Sequence, residues 1–291
     1  MLSKEIVVEK IKSYKPCLNC NNPIPKNVPI NKLKIENRKK VCGCGKTHID
    51  DVMLDVFDIM KDEGEFEDSN KVSLKDVGAP LMEIGYPLKY LPVLRKNELI
   101  VMTDVSKKCA KEIVKIDEVK GVLSKNQRPS GNSSEINKLL YGNDFRCDVF
   151  PIKSINDCVI VCKNQSKIHI EFPRLYNPKI LKVERLNLKN KVVIDGFCGV
   201  GTLGMIALKK GAKKVIFCDI NKYAIGDLIY NLKLNFGEEV FNHVEIVNSD
   251  FLDLDVKAYN GDICLVDLFP YMDPTEYLKK AKEIADKVVV I

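Results

Sequence analysis

The chain has 291 residues, 45% of them hydrophobic and 30% charged, with a net charge of +6, which excludes disorder and fibrous repeats and leaves room for one large domain or for two domains plus a small appendage. No stretch approaches the roughly 18 unbroken apolar residues that a spanning helix needs, and charges recur every few residues from Met1 to Lys15, where a signal peptide would need an apolar core. A soluble cytoplasmic protein with no membrane partner is the expectation. Eleven cysteines, an odd count in a chain of this length, speak against a secreted disulfide framework and for reduced thiols and metal ligation.

Charge is unevenly distributed. The first 68 residues cancel to zero, because an acidic run from Asp51 to Asp68 offsets the basic start. Residues 69–190 carry 22 basic and 13 acidic side chains, whereas residues 191–291 carry 12 and 15. A basic middle suits an anionic substrate or nucleic acid, although a solvated lysine-rich surface has the same composition.

In chain order, Cys17-x-x-Cys20 is followed by a proline-bearing spacer and then by Cys42-x-Cys44 and His48. Two knuckles of closely spaced thiols are what a tetrahedral zinc site requires. Cys17, Cys20, Cys42 and Cys44 are the expected ligands of a structural Zn2+, with His48 able to replace one of them. Ile49 to Met60 has helical spacing of apolar residues, and Glu63 to Asp68 reads as a solvated linker lying against the basic knuckles. Leu99 to Met102 predicts a strand, Lys107 to Ile116 a helix and Gly121 to Leu123 a second strand, which together suggest a small α/β recognition domain. Lys125 to Ser134, with Pro129 and Gly131, reads as a loop. Cys158 to Cys162 predicts a buried strand whose two cysteines serve as small hydrophobes, and the domains are expected at 1–68, 69–165 and 166–291.

The last hundred residues carry the chemistry. An apolar strand from Lys191 ends in Asp195 and opens into Gly-Phe-Cys-Gly-Val-Gly201, with a helix from Thr202 to Lys210. Glycines at 199 and 201 let a ligand approach the backbone, and the helix start offers unpaired N–H groups. A second strand, Lys214 to Cys218, ends in Asp219, an acid able to accept both hydroxyls of a ribose. Strands His243 to Val247 and Asp262 to Asp267 follow, with helices between and a fifth strand at Val288 to Ile291. Such alternation predicts a Rossmann-like parallel sheet with its site at the carboxyl ends of the strands. Gly199-x-Gly201-x-x-Gly204 also satisfies a dinucleotide fingerprint. Asp195, however, would repel a pyrophosphate, and S-adenosylmethionine brings an ammonium, a sulfonium and no phosphate.

Asp195-Gly-Phe-Cys-Gly-Val-Gly201 resembles the corresponding motif of class I methyltransferases, and Asp219-Ile-Asn-Lys-Tyr-Ala224 through Asn231 and Asn235 resembles their second-strand signature. Phe172-Pro-Arg-Leu175 and Asn177 to Leu186 are similar to the segment that enters this domain in archaeal and eukaryotic tRNA guanine-N1 methyltransferases. The resemblance spans roughly residues 170 to 270. It implies that Asp195, Gly199 and Gly201 frame the methionine end of the cofactor, Asp219 its ribose and Asp250 its adenine, with Phe197, Ile220 and Phe251 beside them. Glu184 matches a glutamate near the target base and, with Asp267, is a candidate catalytic base. Asp267-Leu-Phe-Pro270 departs from the family's shorter Asn-x-Pro, although Pro270 and Tyr271 can still face a planar substrate. The sixth and seventh strands of the class are missing, so either the sheet is shortened or an earlier segment completes it. His169, alternating with Ile168 and Ile170, reads as a surface histidine, and Cys198 as a packing residue.

The expected function is S-adenosylmethionine-dependent methylation of RNA, a tRNA base, with the zinc module and basic middle as recognition elements. The alternatives are methylation of a small anionic metabolite, a cofactor precursor or a protein side chain, and a cofactor-binding module without turnover.

Overall fold

In the computed structural model residues 3–125, 137–168, 172–269 and 272–291 are described. Pro129 and Gly131 of the expected loop, His169, and Pro270 and Tyr271 lie outside the described residues. The chain divides into an amino-terminal unit, Glu5–Arg146 with Asn164–Glu171, and a carboxy-terminal unit, Cys147–Lys163 and Phe172–Ile291 with Met1–Lys4. Residue 68, expected as a boundary, lies inside the first unit, and residue 165 lies in its returning segment.

The amino-terminal unit contains α1 (Lys4–Ser13), β1 (Thr47–His48), α2 (Ile49–Asp62), α3 (Leu74–Val77), β2 (Ala79–Met82), β3 (Ile84–Gly85), β4 (Val93–Leu94), β5 (Leu99–Met102), α4 (Lys107–Ile113), β6 (Val119–Lys125) and β7 (Asn137–Gly142). Its four-stranded sheet has the order β2-β5-β6-β7, in which only β5 and β6 run parallel. A parallel pair needs a crossover, and α4 provides it, burying Cys109, Ala110 and Ile113. In α2 the predicted stripe is buried at Ile49, Val52, Met53 and Val56.

Glu63 and Glu65 turn to the start of α4 rather than to the knuckles. Glu65 accepts from the backbone N and the hydroxyl of Ser106, the N-cap of α4, at 3.0 and 2.6 Å, and Glu63 pairs with Lys108 at 2.8 Å. The start of α4 offers unpaired N–H groups and a lysine, which draw carboxylates. The acids that reach the knuckle region lie on α2: Asp50, Asp51 and Asp55, the last paired with Lys40 at 3.0 Å. Asp50 accepts from Ile24 N at 2.8 Å, and Asp51 accepts from Asn21 at 2.7 Å and pairs with Arg38.

The carboxy-terminal unit is built from β8 (Phe145–Ile152), which begins at the junction, then β9 (Asp157–Asn164), α5 (Pro178–Glu184), β10 (Val192–Asp195), α6 (Thr202–Lys209), β11 (Lys214–Cys218), α7 (Lys222–Phe236), β12 (Val244–Val247), β13 (Gly261–Val266), α8 (Thr275–Ile284) and β14 (Ala285–Val290). Five strands form an all-parallel sheet of order β12-β11-β10-β13-β14. The chain moves outward from β10 to β12 and then returns to the other side of β10, so the switch in direction falls between β10 and β13. Ile194, Ile216, Cys218, Cys264, Val266, Ala281 and Ile284 form part of one core cluster in this unit.

No earlier segment extends this sheet among the described residues. β8 and β9 are neighbours in a separate sheet, and β9 is held to α7 by amide side chains. Asn235 accepts from Ile160 N at 2.9 Å and donates to Ile160 O at 2.7 Å, doing for the strand what a neighbouring peptide would do. Cys147 and Cys162 form a disulfide across this strand pair, which corrects the expectation of reduced thiols throughout: pairing of the strands brings their Cα atoms to 3.9 Å. Cys158 stays free and half-buried.

Candidate functional site

β10 lies between two parallel neighbours, so the turn that follows it opens at the centre of the sheet's carboxyl edge. Gly199 has φ +50° and Gly201 φ +91°, a region closed to most side chains. A Cβ at Gly201 would lie 2.3 Å from Leu228, whereas one at Gly199 would meet nothing within 4 Å. The backbone is therefore packed on one side at Gly201 and open at Gly199. Gly204 lets α6 sit against the sheet, and its N–H donates to Asp195 Oδ2 at 2.8 Å.

Three acids close three adjacent strands. Asp195 is 1% exposed at the end of β10. Burial, and then the negative charges of Asp267 and Asp219, push its carboxyl up to about 7, against the pull of the Gly204 N–H. Asp219 follows β11, and burial raises its pKa too. One of its oxygens accepts from Gly199 N at 2.7 Å and the other from Asn221 N at 2.8 Å, shaping the first loop and starting α7. Asp250 follows β12 by a short turn and caps the next 3-10 turn through Leu252 N at 2.9 Å. Asn248, also after β12, donates to the carbonyls of Asp219 and Ile220 at 2.8 and 3.1 Å, tying the second and third loops together.

The apolar candidates divide into a rim and a floor. Ile220 is 70% exposed. Phe251 is a core residue packed beneath Gly196, and Phe197 lies against it and against Tyr277, with ring centroids 5.0 and 5.3 Å away. Cys198 is buried, and burial together with Asp195 and Asp219 pushes its thiol well up, as befits a packing residue. Asp267 follows β13 and accepts an ion pair from Lys179 of α5 at 2.7 Å. Glu184 ends α5 with its carboxylate accepting from Lys153 N at 2.8 Å and its carbonyl from Lys210. Sequence reasoning did not single out Lys179, Asn248 or Tyr277. For Lys179 the only local signal is its place two residues after the N-cap Asn177, whose side chain accepts from Lys179 N.

In the amino-terminal unit, the sulfurs of Cys17, Cys20, Cys42 and Cys44 lie within 4.8 Å of one another. The separations 17–20, 17–42 and 20–44 are 3.5, 3.6 and 3.8 Å. A tetrahedron of metal–sulfur bonds of about 2.3 Å has edges of about 3.8 Å, so the four thiols fit a tetrahedral ion. His48 is not part of this group: its Nδ1 accepts from Asp50 N at 3.2 Å and caps α2.

Sheet order, glycine turn and strand-end acids together define a Rossmann-like unit that resembles class I S-adenosylmethionine-dependent methyltransferases. Residues 178–290 match the family described as Conserved hypothetical protein 95. Over 101 residues the chain is 33% identical to the tRNA (guanine(37)-N(1))-methyltransferase Trm5b of Pyrococcus abyssi, covering 33% of this chain and 29% of that protein. It is 33% identical over 84 residues to the ribosomal protein L11 methyltransferase of Acinetobacter baumannii, covering 29% of this chain and 27% of the relative. Less than a third of either curated relative is spanned. Among solved structures, P. horikoshii TYW2 in complex with MeSAdo is similar with TM-score 0.49 and 19% identity over 80% of this chain and 76% of that one.

Proposed function

We propose that the chain is an S-adenosylmethionine-dependent methyltransferase acting on RNA, with a tRNA base as acceptor. The observation that carries the cofactor assignment is the pair of carboxylates that bound an open glycine turn: Asp195, bonded to Gly204 N, and Asp219, bonded to Gly199 N, accommodate a cation and repel a phosphate. In this reading Asp195, Gly199 and Gly201 hold the methionine end, Asp219 the ribose, and Asp250 the adenine with Ile220 against its face. Phe197 and Phe251 support the floor. When bound, the cofactor supplies an electrophilic methyl group. The chain's part is to fix the acceptor in line with it and to take a proton where the acceptor carries one. Asp267 is the proposed acceptor-side carboxylate, held in place by Lys179; Glu184, the other candidate base, lies at the opposite end of α5 with its carboxylate engaged by Lys153 N.

Cys17, Cys20, Cys42 and Cys44 are proposed to hold a structural Zn2+, because all four positions of the tetrahedron are filled by protein. Residues 1–68 and 69–165 would then serve recognition and residues 166–291 transfer. Among the described residues no helix is long and apolar enough to cross a membrane, and a cytoplasmic location belongs to the same proposal. The name of the Trm5b relative supports tRNA as acceptor. The likeness to the ribosomal protein L11 methyltransferase favours a second reading, methylation of a protein side chain. Incubation with methyl-labelled cofactor and separate RNA, protein and metabolite fractions decides between them: label in tRNA supports the first reading, and label in protein alone replaces it with the second.

A further inference from the structure

The carboxy-terminal unit exposes an aromatic and cationic strip that the cofactor site does not use. Phe172, Leu175 and Tyr176 are 46%, 41% and 67% exposed, Arg174 between them is exposed, and Ile155 is 40% exposed. The ammonium of Lys153 lies 3.2 Å from the centroid of the Tyr176 ring. Three large apolar side chains in five residues at the surface is a cost that a free soluble protein does not need to carry. Charge singles out the same stretch. Residues 172–190 contain five basic side chains and one acid, whereas residues 191–291 carry an excess of three acids. That acid, Glu184, is engaged by Lys153 N, which fastens the lysine-bearing turn to the end of α5. The other end of α5 carries Lys179, paired with Asp267 at the acceptor side.

We infer that the strip Lys153, Phe172, Arg174, Leu175 and Tyr176 is the surface on which unpaired nucleotides of the RNA acceptor stack. This rests on the RNA reading above and adds to it where the RNA lies and which form of it is bound. An aromatic ring beside cations takes the π-face of any base while lysine and arginine meet its phosphate. A duplex hides its base faces and offers phosphates alone, so the surface selects single-stranded segments. An acidic protein partner would use the cations and leave the flat faces idle.

The test uses the full chain, unmodified tRNA transcript, a single-stranded oligoribonucleotide and an RNA duplex of equal length. Base stacking of about 1–3 kcal/mol predicts that Tyr176→Ala weakens tRNA binding about 5- to 150-fold, while Tyr176→Phe, which keeps the ring, binds like wild type. Cofactor affinity should be unchanged in both, and the single strand should compete with tRNA better than the duplex. Wild-type affinity in Tyr176→Ala, or equal competition by duplex, overturns the strip while leaving RNA as substrate. If the wild-type chain binds cofactor but no RNA, and label passes to protein, the RNA reading fails and the strip falls with it.

Discussion

The N–H of Gly199 donates to a carboxylate oxygen of Asp219, 20 residues along the chain, at 2.7 Å. The acid that closes β11 therefore shapes the loop that follows β10, and one side chain has two tasks. Replacing it removes both the proposed ribose contact and the restraint on the turn. Asp219→Ala should weaken S-adenosylmethionine binding by more than about tenfold, since hydrogen bonds to a charged group contribute about 1.5–3 kcal/mol. Asp219→Asn keeps one acceptor and should fall between the two. Calorimetric titration reads this directly, and unchanged affinity in the alanine variant would remove Asp219 from the site.

Asp195 links stability to pH. Its folded pKa is raised from 3.8 to about 7, so the native state holds the proton more tightly than the unfolded chain. The stabilisation this gives is complete below 3.8 and is lost as pH rises through about 7, leaving a buried charge. Asp195→Asn keeps an acceptor for Gly204 N and carries no charge. Its melting temperature should exceed that of wild type at pH 8, by the equivalent of about 2–4 kcal/mol, with the gain shrinking towards pH 4. Cofactor binding should be lost in the variant, and in wild type it should weaken as pH drops below about 7. A melting temperature for Asp195→Asn that tracks wild type across this range would show that the carboxylate is not paying the burial penalty.

The two candidate bases, Asp267 and Glu184, should separate by mutation. Glu184→Gln retains an oxygen for Lys153 N, so the local fold should persist and any loss of turnover reports the charge alone. Asp267→Asn leaves Lys179 without its ionic partner at the end of β13. Loss of a proton acceptor costs about 10²–10⁴-fold in rate. We expect Asp267→Asn to lose at least 10²-fold in methyl transfer, with cofactor affinity within about threefold of wild type. Undiminished turnover in both variants would exclude carboxylate participation.

The parallel sheet was legible because its strands are apolar runs ending in Asp195, Asp219 and Asp267, and because glycines mark the turn after the first. The knuckle cysteines were legible by spacing alone. What the sequence withheld depends on distant pairing. Lys179 meets Asp267 across 88 positions and Asn235 meets Ile160 across 75, and neither pair leaves a local pattern. The Cys147–Cys162 disulfide was missed for a related reason: composition argued for thiols, and only the pairing of β8 with β9 brings those two together. Glu63 and Glu65 were misplaced because a carboxylate seeks helix starts as readily as lysines, and α4 offered both.

The four sulfurs predict a stoichiometry. The purified chain should carry about one zinc per molecule, released by a strong chelator, and Cys17→Ser or Cys42→Ser should reduce the bound metal and lower the melting temperature of the amino-terminal unit. A structural ion adds folding free energy outright, so its removal should be felt as destabilisation even where no substrate is present. Full stability after complete chelation would mean that the thiols pack without a metal.

Asn231 makes the last prediction the most local. Its side-chain oxygen accepts from Cys162 N at 2.7 Å and its nitrogen donates to Val200 O at 3.1 Å, so one fully buried amide joins β9 to the glycine turn. Truncation leaves a donor and an acceptor buried without partners, a cost of about 1–3 kcal/mol each. Asn231→Ala should lower the melting temperature by several degrees and, by loosening the carbonyl of Val200, weaken cofactor binding. Asn231→Asp should be worse, because it keeps the acceptor, loses the donor and buries a charge. Added cofactor should recover part of the lost stability in the alanine variant, since binding re-imposes the turn. A variant that melts and binds like wild type would show that β9 and the turn are held independently.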